Sequence, residues 1–148
     1  MSQETKRNNK GFSLLELLIV VAIILIIATI AIPSLLRSRQ AANEAAAVGN
    51  MRNLNTAEVT YSSSFGLYGS VPDLITAKLL DERYAASNFS GFRFAVALSS
   101  GSRNYTAYAT GVSTNSSRFD YYTSPDFVIR YSTMTSRAPS GMTGDPVQ

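Results

Sequence analysis

From Phe12 to Ile32 the chain reads FSLLELLIVVAIILIIATIAI, and only Ser13, Glu16 and Thr29 interrupt the apolar side chains. Wound as an α-helix at about 1.5 Å per residue, such a run crosses a hydrocarbon core of roughly 30 Å. The run predicts a membrane helix, and it leaves room in a chain of 148 residues for one modest domain beside it. A secretory signal would have an apolar region of about 7 to 15 residues and a small-residue cleavage site after it. This run is longer, and Thr29-Ile30-Ala31 is a poor site of that kind.

Glu16 is the feature that the span does not explain. A carboxylate inside a membrane helix costs on the order of 3 kcal/mol on insertion scales. No Lys or Arg lies between Lys10 and Arg37, so a cation that meets Glu16 has to come from outside the span's own side chains.

Gly11-Phe12-Ser13-Leu14-Leu15-Glu16, behind a short basic leader, resembles the processing site of type IV pilins and of the related type II secretion pseudopilins. The resemblance implies cleavage between Gly11 and Phe12 by a prepilin peptidase, N-methylation of Phe12 by the same enzyme, and pairing of Glu16 with the terminal amine at Phe12 of a neighbouring subunit during assembly. It is strong over residues 6–39 and architectural afterwards. A plain signal anchor matches the length of the span but gives no reason for Glu16 or for Gly11-Phe12.

The formal charge of +3 overstates the basicity of the exported part. Lys6, Arg7, Lys10 and Glu4 contribute +2 of it from residues 1–11, which read as a targeting leader. The near-neutral remainder does not imply a basic nucleic-acid face. Positive charge before a first span holds that end in the cytoplasm and sends residues from Ser34 onward across the membrane. The chain has no Cys and no His. An exported domain of this kind is held without disulfides, and thiol nucleophiles, Ser-His-Asp triads and His-based zinc sites are excluded.

Pro33 closes the apolar run, and a proline within a helix ends or kinks it. Good helix formers follow, so a kink is expected at Pro33, with an amphipathic stalk over residues 34–61. Ala47, Met51, Leu54, Ala57 and Tyr61 share one helical face, and Asn43, Glu44, Asn50 and Arg52 are assigned to the polar side. A second stalk proline that the resemblance implies near Asn53 is missing.

Residues 62–131 read as the exported domain. A Ser/Gly-rich connector leads to a short helix opened at Pro72, with Leu74, Ile75, Leu79 and Leu80 apolar and Asp81-Glu82-Arg83 at its end. Alternation predicts strands over residues 92–98, 105–112, 118–123 and 127–131. The expected fold is α+β: one long amino-terminal helix packed on an antiparallel sheet of three to four strands, as in pilins. Residues 132–148, rich in Ser, Thr, Gly and Pro, read as a flexible tail.

Other constellations are weaker. Lys78 beside Ser-rich loops would be needed for a Ser-Lys nucleophile, but no strained-turn signature surrounds any serine. Asp120 and Asp126 are weak candidates for calcium, as a carboxy-terminal loop in major pseudopilins would imply; two carboxylates lack the ligand density of a calcium loop. Arg93, Arg103 and Arg118 with Tyr105, Tyr108, Tyr121 and Tyr122 form a candidate face for single-stranded DNA.

The function expected is structural and not enzymatic, with no cofactor. A prepilin is inserted in the inner membrane with its amino terminus in the cytoplasm, processed by a prepilin peptidase and methylase, and polymerised with identical or related subunits at an inner-membrane assembly platform. The product is a periplasmic or extracellular pilus or pseudopilus filament. The alternatives are a membrane-anchored binding module that does not polymerise and a DNA-binding minor pilin.

Overall fold

A computed structural model of the protein describes residues 12–133 and 144–147. The expected leader with Gly11, and residues 134–143 and 148 of the expected tail, lie outside the described residues. The chain divides into two compact units, Met1–Leu36 and Arg37–Gln148.

Helix α1 spans Leu14–Phe65 and carries Pro33 inside it. In the first unit every large apolar side chain from Phe12 to Leu36 stands exposed. The one hydroxyl deep in this run, Thr29 Oγ1, donates to the Ile26 carbonyl at 2.7 Å, so it has a partner wherever water is absent.

In the second unit α1 runs past the expected end at residue 61. The hydroxyls of Thr56, Thr60, Ser63 and Ser64 each donate to the carbonyl four residues back, at 2.8–3.1 Å. These bonds give the hydroxyls of a Ser/Thr-rich stretch acceptors within the helix, so they do not draw its backbone into turns. The helix stops at Gly66, which takes φ +74° as a left-handed C-terminal residue.

Helix α2, Val71–Thr76, starts with Pro72 in its first turn. Asp81-Glu82-Arg83 does not end it. Asp81 instead caps a separate 3-10 turn, Glu82–Ala85, accepting from the Arg83 backbone N–H at 2.8 Å.

The sheet is antiparallel and strictly sequential: β1 (Phe92–Leu98), β2 (Tyr105–Gly111), β3 (Phe119–Thr123), β4 (Arg130–Thr133) and β5 (Asp145–Pro146). The α+β class is as expected, with five strands among the described residues rather than three or four. β4 begins later than expected, because Asp126 folds residues 124–128 into a turn, accepting from Val128 N at 3.2 Å while Phe127 takes φ 60°. β5 comes from the stretch read as a tail. Val147 N donates to the Ile129 carbonyl at 2.8 Å, and the Val147 side chain packs on the core.

Phe92 and Phe94 of β1 and Tyr105, Ala107 and Ala109 of β2 point inward at the expected period of two. They pack against Ala47, Met51 and Leu54 of α1 in one cluster. Ala57 is also buried, and Tyr61 is half-buried at the end of the stripe.

Candidate functional site: the amino-terminal helix and the polar seam of the domain

Glu16 lies in the first turn of α1 and is exposed among exposed leucines. Among the described residues it makes no hydrogen bond or ion pair, and the first basic side chain along α1 is Arg37. Ser13-Leu14-Leu15-Glu16 also has the spacing of a helix-start capping box, and an acid at that end suits the helix dipole. Phe12, two residues before the helix, is 80% exposed. Phe12 and Glu16 therefore sit at the same end of one apolar rod, which is long and apolar enough to cross a membrane.

The domain contains a set of polar anchors that tie α1 to the sheet and its turns. Glu44, assigned to the polar side of the stalk, is only 6% exposed. Arg118 grips it as a fork, with Nη2 at 2.7 Å from Oε2 and Nε at 3.2 Å from Oε1, and the Arg118 backbone N–H donates to Oε1 at 2.7 Å. One turn before Glu44, Gln40 donates to the Thr114 carbonyl at 2.6 Å, and its neighbour Asn43 donates to the Ser116 carbonyl at 2.9 Å. Further along, Asn55 donates to Thr123 Oγ1 at 3.1 Å and accepts from the Tyr105 hydroxyl at 2.9 Å. Glu58, with no exposed surface, accepts from Gly69 N at 3.0 Å. The signal for these residues was their spacing. Positions 44, 55 and 58 continue the stripe of Ala47, Met51 and Leu54 at steps of three or four, which puts them on the buried face whatever their polarity.

The candidate DNA face does not form as one surface. Tyr105, Tyr121 and Tyr122 are buried, and Arg118 is committed to Glu44. Burial, with the Glu44 carboxylate beside it, pushes the Tyr121 phenol up to about 12. The calcium candidates are also separately committed. Asp120 Oδ1 accepts from Gly111 N at 2.7 Å, and Asp126 pairs with Arg130 at 2.6 Å. A side chain at Gly111 would collide with Ser117 Oγ, so this close approach of β2 to the next turn requires glycine. Among the described residues no three acidic or imidazole side chains gather as a metal site. Lys78 is exposed, and among the described residues it pairs with no acid.

Glu58 carries a pH dependence. Burial raises its carboxyl to about 7, against the smaller opposing effect of the Gly69 hydrogen bond, and the nearby Asp73 charge adds to the rise. The folded domain thus binds this proton more tightly than the unfolded chain. The stability it favours is complete below the ordinary value near 4.5 and is lost as pH rises to about 7. In Glu58→Gln the amide mimics the neutral acid. Its thermal unfolding should be flatter between pH 5 and 8, and at pH 8 it should exceed the native chain by about 3 kcal/mol. Equal stability of the two chains at pH 8 would mean that Glu58 is not desolvated as placed.

Residues 6–32 match the family described as the prokaryotic N-terminal methylation motif. The chain is similar to the type IV wide pilus major component PilA4 of Thermus thermophilus, with 60% identity over 38 residues that cover 26% of this chain and 29% of that protein. It is also similar to the type IV major pilin protein PilA of Myxococcus xanthus, with 42% identity over 60 residues that cover 40% of this chain and 27% of that one. The matches span less than a third of the length of either relative. Over residues 6–32 the chain carries the prokaryotic N-terminal methylation motif, and its amino-terminal segment is similar to that of type IV pilins.

Proposed function

We propose that the protein is a prepilin: a structural subunit cut between Gly11 and Phe12, methylated at Phe12, and polymerised into a filament through its amino-terminal helix. The observation that carries this reading is Glu16 on a helix whose large apolar side chains are exposed, four residues beyond Phe12 in a methylation motif. The names of the two relatives, both pilus components, favour a pilus over a secretion pseudopilus.

The mechanism is largely physical. A membrane helix that leaves lipid for a bundle of similar helices exchanges one apolar environment for another, so little hydrophobic energy is lost. Register comes from the one strong polar pair available, Glu16 and the amine that cleavage creates at Phe12, on the same subunit or on a neighbour. Before assembly the chain is a single-pass protein of the inner membrane with its amino terminus in the cytoplasm. Its partners there are the peptidase, the assembly platform and other copies of itself.

Co-expression with a prepilin peptidase tests the first step. Mass spectrometry should find a chain that begins at a methylated Phe12. Gly11→Val should remain full length, because a branched side chain crowds a site built around glycine. Normal cleavage of Gly11→Val, or a native chain that keeps residues 1–11, would contradict the proposal.

A further inference from the structure

An open cleft of about 490 Å³ separates one exposed side of α1 from the segment that follows α2. Its α1 wall is the stripe Asn50, Asn53, Thr56 and Thr60, and Lys78, Asp81 and Arg83 stand on the other wall. Leu80 and Tyr84 add apolar surface to the lining. The Tyr84 hydroxyl is tied to the Asn50 carbonyl at 3.2 Å, which holds that wall in place.

The two walls differ in chemistry. Thr56 and Thr60 have each given their hydroxyl hydrogen to α1, at 3.0 and 2.9 Å, so both oxygens keep lone pairs for a donor. The opposite wall carries two cations, Lys78 and Arg83, and one carboxylate, Asp81, which is turned to Arg83. Arg83 is partly answered by Asp81 at 2.9 Å and lies over the Phe89 ring at 4.8 Å, whereas Lys78 meets no acid among the described residues.

Lys78 is also held in an unusual backbone. It takes φ 58°, and its N–H donates to the Ile75 carbonyl while Leu79 N–H donates to that of Leu74. This is a Schellman ending, whose left-handed residue is ordinarily glycine. A lysine here costs conformational energy that glycine would spare, and strain of this sort marks functional positions. It is the sole lysine after Lys10.

We propose that the cleft binds a carboxylate-bearing saccharide, with Lys78 meeting the carboxylate and the Asn50–Thr60 side of α1 meeting sugar hydroxyls. The α1 wall is helical, so its backbone groups are already paired and offer no edge for a peptide main chain to add to. Recognition falls to amides and hydroxyls on one side and a charge on the other, which is the pattern of a hydroxylated acid. The volume lies within the range of small-ligand sites and holds a short oligosaccharide.

The test is calorimetric titration of the full chain in detergent micelles with trigalacturonate, an uncharged galactose trisaccharide, and triglutamate. Trigalacturonate should bind roughly tenfold more tightly than the uncharged sugar, the gain expected from one charge-assisted contact. Lys78→Gly should abolish that preference with an unchanged or higher thermal midpoint, since it removes the amine and relieves the left-handed strain. Asn53→Ala should weaken both saccharides severalfold. The proposal is overturned by absence of binding, by equal affinity for the charged and uncharged sugars, by an unaltered preference in Lys78→Gly, or by triglutamate binding as tightly as trigalacturonate. The last result would make the cleft a general carboxylate site.

Discussion

Leu54→Asp, in a chain that starts at Ser34 and so lacks the apolar run, should leave the domain unfolded or close to it at 25 °C. Leu54 has no exposed surface and packs in the cluster that joins α1 to β1 and β2. Removing a buried leucine to a small side chain costs about 2–5 kcal/mol. An unpaired carboxylate at the same position adds several more, or must take up a proton to stay there. The sum reaches the whole stability of an ordinary domain, about 5–15 kcal/mol. Ala46→Asp is the matched control: Ala46 is exposed on the same helix, and a surface change of this type stays within about 0.5 kcal/mol. Urea unfolding followed by circular dichroism separates the two. Equal midpoints for Leu54→Asp and Ala46→Asp would mean that α1 does not cover the sheet.

The same core shows what could be read in advance and what could not. Ala47, Met51, Leu54 and Ala57 were legible because apolar side chains at helical spacing have one economical fate, and β1 and β2 were legible from their period of two. Glu44 was misassigned because a carboxylate is ordinarily solvated. Its burial depends on a fork from Arg118, distant in sequence, and on the Arg118 backbone N–H. A pairing of that kind has no local signature. Asn55 and Glu58 are legible only if spacing is allowed to outrank polarity. β5 escaped notice because a two-residue strand has no period, and its place is fixed by β4 and by the contact of Val147 with the core. Residues 124–128 were shifted because an aspartate side chain, and not the alternation, decides where the turn ends.

The amino-terminal segment was legible for a different reason. Lipid imposes a harsher rule than water, so an apolar run with one acid admits few readings. The motif match over residues 6–32 and the exposure of every large apolar side chain there agree with that reading. Glu16 still has an ordinary local explanation as the acid of a helix-start capping box. Glutamine serves that role too, so Glu16→Gln removes the charge and keeps the cap. This makes it the informative substitution.

Glu16→Gln should enter the membrane and be cut as the native chain is, because before assembly the side chain lies close to the aqueous interface, only four residues beyond Phe12. It should then fail to assemble. Within a bundle of apolar helices the native carboxylate is costly unless a cation meets it, and under the proposed processing an amine at Phe12 would be the nearest one. With glutamine in place, that amine is the group left buried and unpaired, at a cost of about 3–5 kcal/mol for a broken buried pair. Spread over every subunit contact, such a loss should reduce filament yield by at least a hundredfold, roughly 1.4 kcal/mol per factor of ten. The most direct measurement compares sheared filaments with the cleaved membrane pool for native and Glu16→Gln chains at matched expression. The account predicts equal cleaved pools and almost no sheared filament from Glu16→Gln; equal filament yield from the two chains would contradict it.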